Sequence, residues 1–289
     1  MNSKIKTNKV LLTTLPGPLD SGRLIITKFT ILITIIAAIL IVSSCDNNSA
    51  DPIVSSGKLK LEFLHNIDGQ PIIYDSLMYF NEAGNHYLVS EIQYFISDVT
   101  LHQSDGTTLL LDSWEDIHYV DTDIDETKTY YLKDDIASGD FSRISFTFGI
   151  NEEKNNSLMF VNPPKSFMFW PENLGGGYHY LKLNGKWINE LEQVSPYNFH
   201  LGIGQIYYSY PDSITGFVQN YFTVEMPELL FDIKENETTT LQIVMNVDSW
   251  FSSPHTYDHN QWGGDIMQKQ DAMAQAVENG HNVFSYNTK

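Results

Sequence analysis

From Lys58 onward, apolar and polar residues alternate with a period of two, broken repeatedly by Gly, Asn and Asp. That period marks a half-buried strand, because successive side chains leave opposite faces of a pleated sheet. KLKLEFLH (58–65) places Leu59, Leu61, Phe63 and His65 on one face, and SRISFTFGI (142–150) does the same with Ile144, Phe146, Phe148 and Ile150. Two strand pieces are predicted within 76–89, around the turn NEAGN (81–85). Further strands are predicted over 93–101, 116–121, 178–183, 197–203, 221–226 and 239–247. About nine strands over roughly 190 residues predict an all-β fold, an antiparallel β-sandwich large enough to bury a core. The exception is DIMQKQDAMAQAVENG (265–280), predicted as a short C-terminal helix with Asp265 as N-cap and Gly280 past its end.

Ahead of the strands the pattern changes. Phe29 to Val42 reads FTILITIIAAILIV, a continuous apolar run preceded by Arg23 and Lys28. A run of about 14 residues is short for a membrane span and suits the core of a signal peptide. It ends in Val42-Ser43-Ser44-Cys45, which resembles a bacterial lipobox, and Cys45 is the only cysteine in the chain. The expected organisation is a lipoprotein signal peptide over 1–44, a lipidated tether over 45–57, and the β domain with its helical tail over 58–289. A lipid on Cys45 would hold the protein on a membrane of the cell envelope, expected to be the outer membrane, on its periplasmic or surface face. With no second cysteine, the chain can form neither an internal disulfide nor a thiolate metal site.

Charge narrows the partners. Beyond residue 44 the chain carries 12 Lys and Arg against 35 Asp and Glu, a net charge near −23. Such a surface repels nucleic acid and anionic headgroups, so nucleic acid is not an expected partner.

Histidine carries the candidate chemistry. Alternation puts His65 with Leu59, Leu61 and Phe63, and His179 with Leu181 and Leu183. His200 shares a face with Asn198 and Gly202, opposite Phe199 and Leu201. Imidazoles converging from separate strands suit Cu or Zn; the alternative is that each is an ordinary core or rim histidine. A metal shared by His65 and His200 requires their ring nitrogens to lie within about 4–5 Å of each other.

Other motifs fail their tests. His255 and His259 in HTYDH lack the glutamate of a zinc-protease HExxH helix and sit in an expected loop. DTDIDE (121–126) alternates carboxylates as calcium loops do. An EF-hand would have Gly at the sixth position and Glu at the twelfth, where this chain has Glu126 and Leu132. No GxSxG elbow is present, and the GGG at 175–177 precedes a strand rather than a helix, so it is no phosphate cradle. No catalytic constellation emerges, and the chain is not expected to be an enzyme.

The order of several segments adds a further reading. LEFLHNIDGQPI, YFNEAGNHYLVSEIQYFISDVTL, DIHYVD, FTFGIN, MFWPENLGGGYHYLKLNGKW and FHLG occur in succession. Together they resemble the MbnP-like family of bacterial periplasmic or outer-membrane copper-binding proteins, over roughly residues 58–250. The resemblance implies a β-rich extracytoplasmic domain that binds copper through histidines. Carried onto this chain, it implies His65 and His200 as the leading ligands and His179 as a third. It also implies Trp170 as a residue oxidised to kynurenine or packing the site, with a diheme peroxidase of the MauG type as partner. The expectation is a copper-binding lipoprotein for copper acquisition or handling. The alternative is a surface module on the same fold that binds a glycan or protein ligand without metal.

Overall fold

The computed structural model describes residues 55–113 and 115–288. The predicted signal peptide, Cys45 and most of the tether lie outside the described residues. The last tether residues are already structured, since the first strand begins at Ser56.

The longer strands are β1 (Ser56–Ile67), β2 (His86–His102), β3 (His118–Asp121), β4 (Arg143–Phe148), β5 (Leu181–Ile188) and β6 (Val194–Leu201). They continue as β7 (Gly204–Ser209), β8 (Ser213–Val218), β9 (Phe222–Glu225), β10 (Thr238–Asn246) and β11 (Phe284–Thr288). One sheet runs β11-β10-β1; the other runs β6-β5-β2-β4-β9, with β3 also on β2. Short edge strands complete both, and β7 and β8 form a separate hairpin. The all-β sandwich is as predicted, with two differences. The strand from 86 to 102 is continuous where two were expected. β1 and β10 also pair in parallel, a relation that alternation cannot distinguish from antiparallel pairing.

The core forms between the two sheets. Leu59, Leu61 and Phe63 of β1 are buried, as are Ile92, Tyr94 and Ile96 of β2, Leu181 and Leu183 of β5, and Phe199 and Leu201 of β6. Phe63 meets Tyr94 edge to face at 6.2 Å, and Tyr94 stacks on Phe148 at 5.6 Å. Aromatic pairs of this kind contribute about 0.5–1.5 kcal/mol beyond the area they bury.

The outer face of the larger sheet is polar, and its register lines up two rows. Asp121, Gln93, Lys182 and His200 lie side by side across β3, β2, β5 and β6. Glu91, Asn184 and Asn198 form the next row. Residues 151–180 roof part of this face. Asp98, with a left-handed φ of 54°, sits where β2 and β4 shift register, a bulge that aims its carboxylate out of the ladder. Lys154 and Asn151 bind that carboxylate, and Lys154 also pairs with Asp116, pinning the start of the roof to the sheet. Below the roof, Phe95 stacks on Phe160 at 5.4 Å.

The C-terminal helix, α1, runs Gln270–Gly280 and is shorter than predicted. Asp265 does not cap it; its carboxylate accepts from the Met267 amide. Gly280 is the last helical residue rather than the first beyond the end. A Cβ there would come within 2.3 Å of Phe222 and 2.8 Å of Trp250, so close packing sets its identity.

Candidate metal centre

Three glycines shape the segment that brings a tryptophan and a histidine over the sheet. Gly175, Gly176 and Gly177 all have positive φ, at 123°, 71° and 76°. A Cβ on Gly177 would strike the Asn155 amide at 2.6 Å, so both backbone freedom and space require glycine here. The turn folds 168–170 back against 177–179. The Trp170 amide donates to the Gly177 carbonyl at 2.8 Å, and the His179 amide donates to the Met168 carbonyl at 2.7 Å.

Trp170 and His179 are both buried, and Trp170 Nε1 donates to the Leu174 carbonyl at 3.1 Å. The indole rests over Gly202, where a Cβ would lie 2.5 Å from the ring. Gly202 therefore leaves the space that the indole occupies beside His200. The Trp170 and His179 rings meet at 4.7 Å, and the His179 and His200 rings at 5.0 Å, each pair edge to face.

Hydrogen bonding fixes which nitrogen of each ring carries the proton. His179 Nδ1 lies 2.9 Å from the Met168 carbonyl, which can only accept, so Nδ1 carries the hydrogen and Nε2 the lone pair. His200 Nε2 lies 2.8 Å from Asn184 Oδ1 and donates to it, leaving Nδ1 as the lone-pair atom. His200 Nδ1 is buried and makes no hydrogen bond. Both rings are held neutral. Burial, the neighbouring His200 and the Lys182 ammonium push His179 well below the usual imidazole range. Burial and then Lys182 lower His200 to about 3. Lys182 itself donates to the Phe167 carbonyl at 2.5 Å. Two neutral imidazoles, each with one ring nitrogen committed to a polar partner, form a donor set suited to a soft or borderline metal such as copper.

His65 does not join them. Its ring faces the interior, where Nε2 is 3.2 Å from the Tyr94 hydroxyl and the two rings meet at 5.7 Å. His200 projects from the other face of the larger sheet, beside Lys182 and Asn184. The sequence expectation of a His65–His200 pair is therefore corrected: a layer of β-sheet lies between the two residues. The placement of His179 with Leu181 and Leu183 is corrected as well. Regular pairing of β5 starts only at Leu181, and the irregular backbone before it turns His179 toward His200. Nothing in the local sequence marks Asn184 as a neighbour of His200. Alternation puts Gly202 on the His200 face, but the indole above it comes from a distant loop.

Two other clusters include residues that the sequence singles out. His255 pairs with Glu278, whereas His259 is buried in a ring of aromatics, so the two diverge. Glu91, Asp121 and Asp123 bring one carboxylate oxygen each within 4.8 Å of the others. Asp121 already accepts from Gln93, the Tyr119 hydroxyl and the Asp123 amide, which accounts for its charge without an ion.

The MbnP family model matches residues 56–268. The chain belongs to the MbnP family. Among solved structures it is similar to MbnP from Methylosinus trichosporium, with a TM-score of 0.53 and 14% identity. That likeness covers 81% of this chain and 99% of the other, and it bears on the fold. No curated protein matches the chain in sequence. All the residues of the candidate centre, Trp170, His179, Asn184, His200 and Gly202, fall inside the MbnP match.

Proposed function

We propose that this MbnP-family protein is a copper-binding lipoprotein of the cell envelope, using His179 and His200 to hold one copper ion for acquisition or handling. The observation that carries this reading is the pair of neutral imidazoles 5.0 Å apart, with the unpartnered, buried Nδ1 of His200 beside them. A buried polar atom without a partner is costly, and a metal ion is one way of satisfying it. Trp170 packs against His179 with the rings 4.7 Å apart and is the residue we propose is oxidised, with a diheme peroxidase of the MauG type as the partner implied by the resemblance. The lipid anchor on Cys45 and the outer-membrane location belong to the same proposal. No enzymatic activity is proposed. The test is metal analysis of the protein from its native host, alongside His179→Ala, His200→Ala and His65→Ala. The first two are expected to lose copper and the third to retain it; full copper in the His179/His200 double variant would eliminate the site. A mass shift on the peptide containing Trp170 would report its oxidation.

A second reading rests on the β7–β8 hairpin, which exposes Ile206, Tyr208, Tyr210 and Phe217. Solvent-facing aromatics of this kind favour a surface that takes a glycan or protein ligand. Glycan-array binding that is lost in a Tyr208→Ser/Tyr210→Ser variant with unchanged copper content would support this as a separate role.

A further inference from the structure

We propose that Asn184, oriented by Glu91, is a positioning residue that selects the His200 tautomer with a bare Nδ1. Asn184 stands between a carboxylate and an imidazole. Its Nδ2 donates to Glu91 Oε2 at 3.1 Å, and its Oδ1 lies 2.8 Å from His200 Nε2. An ionised carboxylate only accepts, so it accommodates the NH2 side of the amide and turns the carbonyl oxygen toward the histidine. That oxygen in turn only accepts, so Nε2 must carry the hydrogen. A neutral imidazole has a single N–H, and Nδ1 is therefore left with its lone pair. Asn184, Glu91 and Asn198 form one cross-strand row, adjacent to the row that holds His200 and Lys182. The pairing of Asn184 with Glu91 on β2 and with Asn198 on β6 thus sets the distances of the relay, just before the β2–β5 ladder shifts register between Asn184 and Gly185.

The charge of Glu91 determines the direction of the relay. Without it the amide is free to turn, presenting NH2 to Nε2 and driving the hydrogen onto Nδ1. The ring would then offer its lone pair to Asn184 and present a hydrogen at the buried Nδ1. Outer partners that orient a ligating histidine typically account for about 10–100-fold in metal affinity. The link to metal rests on the copper reading above, whereas the tautomer itself does not.

The experiment is nitrogen NMR of the histidine rings in the metal-free full chain, followed by copper titration. The unaltered protein is expected to show His200 with a protonated Nε2 and a pyridine-like Nδ1. Asn184→Leu and Glu91→Leu are expected to give mixed or reversed tautomers and about 10–100-fold weaker copper binding. Asn184→Asp combined with Glu91→Gln exchanges donor and acceptor between the two positions, keeps an acceptor facing Nε2 and is expected to retain both readouts, which a general packing defect would not allow. A protonated Nδ1 in the unaltered protein overturns the proposal, as do unchanged tautomer and affinity in both leucine variants. If the unaltered protein has the expected tautomer but binds no copper, the copper reading fails and the assignment of Asn184 stands.

Discussion

Two buried histidine environments lie on opposite faces of the larger sheet, and they differ in one respect. His179 and His200 each have one ring nitrogen committed to a polar partner and the other left with a lone pair. His259 has neither ring nitrogen hydrogen-bonded, although it is fully buried. Aromatic rings enclose it instead: Tyr197 at 4.5 Å, Phe251 at 4.9 Å, Tyr257 at 5.2 Å and Trp187 at 5.6 Å. Burial lowers His259 to about 3, as it does His200. A displaced pKa therefore does not distinguish a ligand from a packing residue. The distinction comes from polar neighbours that define a tautomer and from a second imidazole facing the first.

Acid gives the largest expected effect on this comparison. Burial lowers His259 and His65 to about 3 and His118 to about 4, all below the unfolded value of 6.5. The unfolded chain then binds more protons below pH 6.5, so stability is full above that pH and falls as pH drops toward 4. Each such group can contribute a slope of about 1.4 kcal/mol per pH unit across the window. Denaturant midpoints measured from pH 7.5 to 4.5 should fall steeply, and His259→Leu should flatten the decline. A profile unchanged by that substitution would mean that His259 does not remain neutral in the fold.

The next effect concerns the roof. Gly202→Val drives a side chain into the Trp170 ring, and overpacking of this kind costs about 1–3 kcal/mol. It should also blue-shift or broaden tryptophan fluorescence and weaken copper binding, because the indole and His179 move together. His200→Leu removes the partner of Asn184 Oδ1, leaving a half-buried acceptor unsatisfied at a cost of about 1–3 kcal/mol. His259→Leu is the opposite case. It removes two buried nitrogens that have no hydrogen bond and replaces the ring with an apolar group of similar volume. At pH 7.5 its stability should lie within about 1 kcal/mol of the unaltered protein, or above it. A loss of several kcal/mol there, measured by chemical denaturation, would show that the aromatic enclosure depends on the imidazole and would erase the contrast with His200.

Much of this molecule was legible from alternation alone. The inward faces of β1 and β4, the outward His200 and the inward His65 all follow from period two. The same rule contained the reason that His65 and His200 cannot meet, but alternation says in or out without saying which sheet a strand joins. The site became visible only through cross-strand register, which placed Asn184 within reach of His200, and through a loop whose three positive-φ glycines reverse the chain at Trp170. Regular strand geometry carried back to Tyr178 misplaces His179, because the backbone before Leu181 is irregular and follows those glycines. Long-range pairings and irregular turns leave weak traces in local sequence, and this centre is built from both.

The parallel pairing of β1 with β10 has a mechanical consequence. Nine consecutive positions, Lys58 to Asn66, are matched along that ladder, and the strand begins at Ser56, directly after the segment proposed to carry the lipid. Tension arriving from the N-terminal side would run along the axis of β1 and load its inter-strand bonds together in shear, not one after another as in peeling. A protein tethered in this way would take force first into the β1–β10 ladder, which belongs to a different sheet from the strand that carries His200.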